Sequence, residues 1–128
     1  MKVTTLAARL LLGLLFAVMG LNGFLLFIPP PPTGIPQNAA TFSGVMFSTH
    51  YMWMTSGAQL LAGILVLVNR YVLFALIVLA GILVNILTFH ITMWPQTLVP
   101  MPIIALILWF LAAWPLREKF APLFKATV

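Results

Sequence analysis

Long apolar runs dominate the chain, and short polar or proline-rich segments separate them. An α-helix rises about 1.5 Å per residue, so about 20 apolar residues cross a hydrocarbon core of about 30 Å. The pattern predicts spans at about residues 8–28, 51–68, 71–93 and 102–116. It therefore predicts an all-α fold, a four-transmembrane-helix bundle that forms one integral membrane domain over residues 1–128.

The segment between the first two spans begins with Pro29–Pro32. Proline cannot continue a helix, because it lacks the backbone N–H and clashes with the preceding turn. Asn38 is then expected to act as the N-cap of a short helix over residues 39–48. This helix is too short to span a bilayer, so it is expected to be interfacial or re-entrant on the outer face; the sequence leaves the two alternatives open.

The connections in the second half of the chain are short. Residues 69–70 predict a tight turn, and residues 94–97 predict a second outer loop. Thr97 is expected to cap the last span, and Pro102 suits the first turn of a helix. The basic tail, residues 117–128, is expected to lie on the inner membrane surface.

Composition and charge add an orientation. Hydrophobic residues make up 63% of the chain and charged residues only 5%, against about 25% in average soluble domains, so lipid must cover most of the surface. With four spans, every basic residue falls on one side of the membrane; these are Lys2, Arg9, Arg70, Arg117, Lys119 and Lys125. The positive-inside rule predicts that this side, with both termini, is cytoplasmic.

The same composition excludes several functions. The basic residues form no stripe with interleaved aromatic residues, so no nucleic-acid partner is predicted. The chain has no cysteine, which removes thiol chemistry, and Glu118 is its one acidic side chain, which removes paired-carboxylate catalysis. No catalytic motif is recognisable, and the missing intramembrane Asp and Glu disfavour a proton-coupled transporter.

A few polar side chains do fall inside the predicted spans, and they form the candidate site. The residues are Asn22, Tyr51, Gln59, Asn85 and His90. The three amides are expected at a common depth in the outer half of the bundle, where a polar pocket could hydrogen-bond a quinone head group, a lipid or another amphipathic ligand. The alternative is that the amides bond to one another across helices and only stabilise the packing.

Two further features concern ligands and packing. His50 and His90 are weak candidates for a metal or haem, because no carboxylate or third ligand accompanies them. Small residues on the first span are expected to allow a close helix approach; these are Gly13, Ala17, Gly20 and Gly23, with Gly63 and Gly81 as candidate contacts on other spans. Arg9 is expected to extend to the inner head groups, and the deep Trp109 N–H needs a partner.

Four short motifs resemble the DoxX-like family of small bacterial four-helix membrane proteins. They occupy residues 20–24, 59–63, 85–90 and 120–124, and the resemblance covers nearly the whole chain. It implies a four-helix bundle in the bacterial cytoplasmic membrane, and family members are often linked to membrane oxidoreductase systems. Related proteins form the membrane part of a thiosulfate:quinone oxidoreductase. The positions that would carry over are Asn22, Gln59, Asn85 and His90.

Three hypotheses follow for the function. The first is a small accessory subunit that packs against a larger membrane redox or bioenergetic complex, with other membrane subunits and lipid as its partners. The second is a quinone-binding component of a membrane oxidoreductase. The third is a transporter of a small neutral solute.

Overall fold

The structure, a computed structural model, describes residues 2–127, and within this range the chain forms helices and turns without a β-strand. The helices are α1 (Lys2–Leu25), α2 (Gln37–Ser48), α3 (Met52–Leu67), α4 (Val72–Met93), α5 (Met101–Ala113) and α6 (Arg117–Phe120). Short 3₁₀ segments follow α4, α5 and α6 at Pro95–Thr97, Trp114–Leu116 and Ala121–Phe124. The predicted all-α fold is confirmed.

Three helical stretches are long and apolar enough to cross a membrane, as expected of a multi-pass membrane protein. They are Val3–Leu25, Val72–Met93 and Met101–Phe124. The last one continues well beyond the predicted end at residue 116, because helical turns carry the chain through the basic tail. The shorter apolar helix is α3, with 16 residues and a length of about 24 Å.

The first span ends at Leu25, three residues before the predicted boundary at residue 28. Leu26 has a φ of 53°, in the left-handed region that ends helices. The Asn22 side-chain oxygen accepts a hydrogen bond from the Ile28 backbone N–H at 2.8 Å, which fixes the chain as it leaves α1. The following prolines then prevent any return to helix.

The N-cap predicted for the short helix after the first span is wrong. Helix α2 begins at Gln37, and its N-cap position is occupied by Pro36, so Asn38 lies inside the first turn. The ring of Pro36 fixes φ at −59°, which already suits a helix start, and no side chain caps the helix. Phe42 of α2 packs on Phe89 of α4, with ring centroids 5.5 Å apart.

Helices α1 and α3 pack antiparallel at very short range. A Cβ added to Gly63 would lie 2.5 Å from the Ala17 backbone N, and one added to Gly20 would clash with the Leu60 backbone N. A Cβ added to Gly23 would likewise overlap the Ser56 side chain. The small face predicted on the first span is therefore the α1–α3 contact, whereas a Cβ added to Gly81 would meet no atom within 4 Å, so Gly81 is not a close contact point between helices of this bundle.

The core lies where α1, α3, α4 and α5 meet. Fully buried side chains there include Leu12, Val66, Ala75, Leu76 and Leu79, and Ala105 of α5 is nearly fully buried. The indole N–H of Trp109 donates to the Leu76 carbonyl oxygen at 2.8 Å, so the predicted need for a partner is met by the backbone of α4. Because Trp109 lies late in α5 and Leu76 early in α4, these two helices are also antiparallel.

Candidate functional site

The structure does not join the three predicted amides through hydrogen bonds to one another. Asn22 bonds to Ile28 as described, and the Asn85 Nδ2 donates to the Gly81 carbonyl oxygen of its own helix at 3.1 Å. Gln59 is half-buried and lies about one turn from buried Ala62. Tyr51 is 57% exposed. The two cavities described below are lined by none of these residues.

His90 connects the end of α4 to the loop that follows it. Its Nδ1 lies 2.6 Å from the Thr97 hydroxyl oxygen, and that hydroxyl lies 2.9 Å from the Trp94 carbonyl oxygen. Since the single hydroxyl proton goes to the carbonyl, Nδ1 is the donor to Thr97. Thr97 therefore holds this loop and does not cap the last span, whose N-cap position is Pro100 without a side-chain bond.

The second histidine has different neighbours. The His50 ring packs at a tilt of 35° on Trp53 with centroids 4.4 Å apart, and Trp53 in turn packs on Phe24 of α1 with centroids 6.0 Å apart. His50 has a φ of 59° and lies in the short connection between α2 and α3. Among residues 2–127, no three His, Cys, Asp or Glu side chains come together as a metal site would require.

A polar stripe runs along the outward side of α4. We call it the α4 stripe, and its residues are Gly81, Asn85, Thr88 and Thr92, all exposed. Their spacing of four, three and four residues places them on one helix face. The buried side chains of the same helix, Leu76, Leu79 and Leu83, occupy the opposite face. The stripe therefore faces away from the bundle.

Hydrogen bonds to backbone carbonyl groups of α4 satisfy some of the polar side chains in the α4 stripe. The Thr88 hydroxyl donates to the Val84 carbonyl oxygen at 2.7 Å, and the Thr92 hydroxyl donates to the Thr88 carbonyl oxygen at 2.6 Å. Asn85 uses one amide proton on Gly81, while its carbonyl oxygen is left to accept from outside the helix. An amide exposed to hydrocarbon favours a partner that can supply such a bond.

A cleft of about 600 Å³ opens at the end of the bundle that the sequence predicts to be cytoplasmic, and we call it the inner-end cleft. Its lining is Thr5, Leu6, Arg9, Asn69, Val72, Leu73, Ala112, Pro115, Leu116 and Lys119. The start of α1, the turn after α3, and the region from late α5 to α6 thus meet at one end. A second cavity of about 480 Å³ is almost entirely apolar and lies beside Trp109 and Phe120.

Comparison of the chain with protein-family models, with curated proteins and with solved structures gives no match. The resemblance to DoxX-like proteins therefore stays a prediction from the sequence motifs.

Proposed function

We propose that this chain is a small accessory subunit with four transmembrane spans, which packs against a larger membrane protein complex. The α4 stripe carries the proposal, since it presents an amide, two hydroxyl groups and a glycine to lipid. Gly81 has open space around it, so another helix can approach closely there, and Asn85 one turn away can then bond across the contact. The DoxX-like resemblance adds a redox or bioenergetic complex as the class of partner.

The short helix α3 is proposed as the fourth span. It lies against α1 from the level of Gly13 to that of Gly23, so it occupies the same depth as a helix that is long enough to cross. Its length of about 24 Å is a few Å below a typical hydrocarbon core, a mismatch that local thinning of the bilayer accommodates. Helix α2, at 12 residues, would then lie on the outer face.

The orientation is proposed from charge. Arg9 and Lys119 line the same inner-end cleft, and Arg70 follows Asn69, which also lines it. Collecting cationic groups at one end of the bundle supports a cytoplasmic location for that end and for both termini. The membrane in question would be the bacterial cytoplasmic membrane.

Crosslinking from the α4 stripe tests the accessory role. The chain has no cysteine, so Gly81→Cys introduces a single thiol that can carry a photoreactive benzophenone maleimide. Illumination of native membranes is expected to join this chain to one different integral membrane protein, identified by mass spectrometry. Adding Asn85→Leu should lower the yield about threefold or more, the effect of losing one interhelical hydrogen bond in lipid.

Ile104→Cys is the matched control. Ile104 is exposed on α5, and the Trp109–Leu76 bond places it at about the depth of Gly81. The benzophenone on Ile104→Cys is expected to label lipid only. If both positions label the same protein equally, or if Gly81→Cys captures only a second copy of this chain, the α4 stripe is not an accessory-subunit interface.

A further inference from the structure

We propose that the inner-end cleft binds the phosphate head group of an anionic phospholipid, with one acyl chain lying along its apolar wall. This inference goes beyond the accessory role and does not depend on the α4 stripe. The orientation proposed above enters only in assigning the lipid to the inner leaflet.

The charges around the cleft favour an anion. Arg9 and Lys119 contribute two cationic groups from α1 and α6, while Thr5 and Asn69 add neutral hydrogen-bonding groups. Glu118, the one acidic side chain of the sequence, does not line the cleft. A phosphate diester offers several acceptor oxygens, and the planar guanidinium of arginine can bond two of them at once.

The position of Arg9 favours a lipid over a soluble anion. Arg9 lies seven residues beyond the start of α1, about 10 Å along the helix, and is half-buried. Leu6, Leu73 and Leu116 are among the apolar residues that line the same cleft. A cation set this deep beside apolar side chains is best neutralised by an anionic group attached to a hydrocarbon chain.

Lys119 has the complementary position. Lys119 is exposed on the short helix α6 and lines the same cleft, so its ammonium group is available to the same phosphate. The two cations thus approach the cleft from different elements, α1 and α6, and a bound lipid would hold these two elements together.

Lipid exchange on the purified full chain tests the proposal. The chain is placed in nanodiscs of phosphatidylcholine containing a small fraction of spin-labelled phosphatidylglycerol or spin-labelled phosphatidylcholine, and the motionally restricted fraction is measured. The native chain is expected to prefer the anionic probe. Arg9→Gln and Lys119→Gln should each lower that preference about fivefold, the effect of removing one cationic side chain near anionic lipid.

Two variants separate a defined site from general attraction. Arg70→Gln removes a cation at the same end of the bundle that does not line the cleft, and it should leave the preference nearly unchanged. Arg9→Lys keeps the charge and should retain most of the preference for the anionic probe. Lys119 is exposed, so Lys119→Gln remains informative even if Arg9→Gln does not fold.

Three results would overturn the proposal. Equal restriction of both probes by the native chain would show that the cleft does not select an anion. An equal loss with Arg70→Gln would show a diffuse attraction with no site. Displacement of the restricted phosphatidylglycerol by inorganic phosphate would assign the cleft to a soluble anion.

Discussion

Replacing Gly20 or Gly63 with alanine is expected to destabilise the bundle more than any other small change. The new Cβ at Gly63 would lie 2.5 Å from the Ala17 backbone N and 2.8 Å from the Gly13 carbonyl oxygen. At Gly20 it would clash with the Leu60 backbone N and lie 2.6 Å from the Ser56 carbonyl oxygen. Backbone atoms cannot rotate away, so α1 and α3 must separate, at a cost of about 1–3 kcal/mol for each substitution.

The measurement is reversible unfolding of the purified chain in mixed micelles with increasing dodecyl sulfate. Gly57→Ala is the matched control on α3, because its Cβ would meet only the Phe24 ring at 3.8 Å, an ordinary contact. It should change the free energy of unfolding by no more than about 0.5 kcal/mol. If Gly63→Ala proved as mild as Gly57→Ala, the close antiparallel packing of α1 on α3 would be incorrect.

Trp109→Ala is expected to cause the second large loss. Trp109 bonds to the Leu76 carbonyl oxygen, and its ring packs edge-to-face on Phe110 with centroids 5.2 Å apart. In a membrane the separated helices remain in lipid, so the loss comes from packing and the hydrogen bond and not from exposure to water. We expect Trp109→Ala to lower the free energy of unfolding by about 1–3 kcal/mol, which is less than the loss of about 3–5 kcal/mol typical of such substitutions in soluble cores.

Trp109→Phe separates these two contributions. It keeps most of the ring contacts and removes the N–H donor, so its cost should be about 0.6 kcal/mol, the average for an interhelical hydrogen bond in a membrane protein. The same unfolding assay measures it. A loss as large as that of Trp109→Ala would mean that the hydrogen bond dominates, and no loss for either variant would remove Trp109 from the α4–α5 contact.

Most of the helices could be predicted from the sequence, because lipid and turn residues constrain the backbone strongly. The third predicted span, 71–93, agrees with α4 within one residue, since the turn at residues 69–70 precedes it and Pro95 follows it. The errors lie at helix ends. Leu26 adopts a left-handed conformation that could not be predicted from its residue type, and helical turns continue through Phe124, beyond the predicted end of the last span at residue 116.

The candidate site was harder to predict, for a physical reason. In a soluble helix the polar face points to water, but in a bilayer the core and the lipid are equally apolar, so hydrophobic periodicity does not reveal which face is buried. Asn85 was expected inside the bundle and lies on the exposed stripe. The regular spacing of Gly81, Asn85, Thr88 and Thr92 was the available signal for a shared face, although not for its direction.

Only part of the inner-end cleft could be predicted from the sequence. Sequence reasoning placed Arg9 and the basic tail on one side of the membrane, but it could not bring Arg9 and Lys119 to one cavity. That juxtaposition depends on the helical turns that follow α5, which continue beyond residue 116 and bring Lys119 to the same cleft as the start of α1.

Thiol accessibility directly tests the proposed arrangement of four spans with the basic end of the bundle in the cytoplasm. Thr33→Cys, Val68→Cys and Thr127→Cys each introduce one thiol into a cysteine-free chain, at an exposed position in a different connection or the tail. A membrane-impermeant maleimide should label Thr33→Cys from outside intact cells, and Val68→Cys and Thr127→Cys only in inverted vesicles. Labelling of Thr33→Cys and Thr127→Cys from the same side would contradict the four-span arrangement.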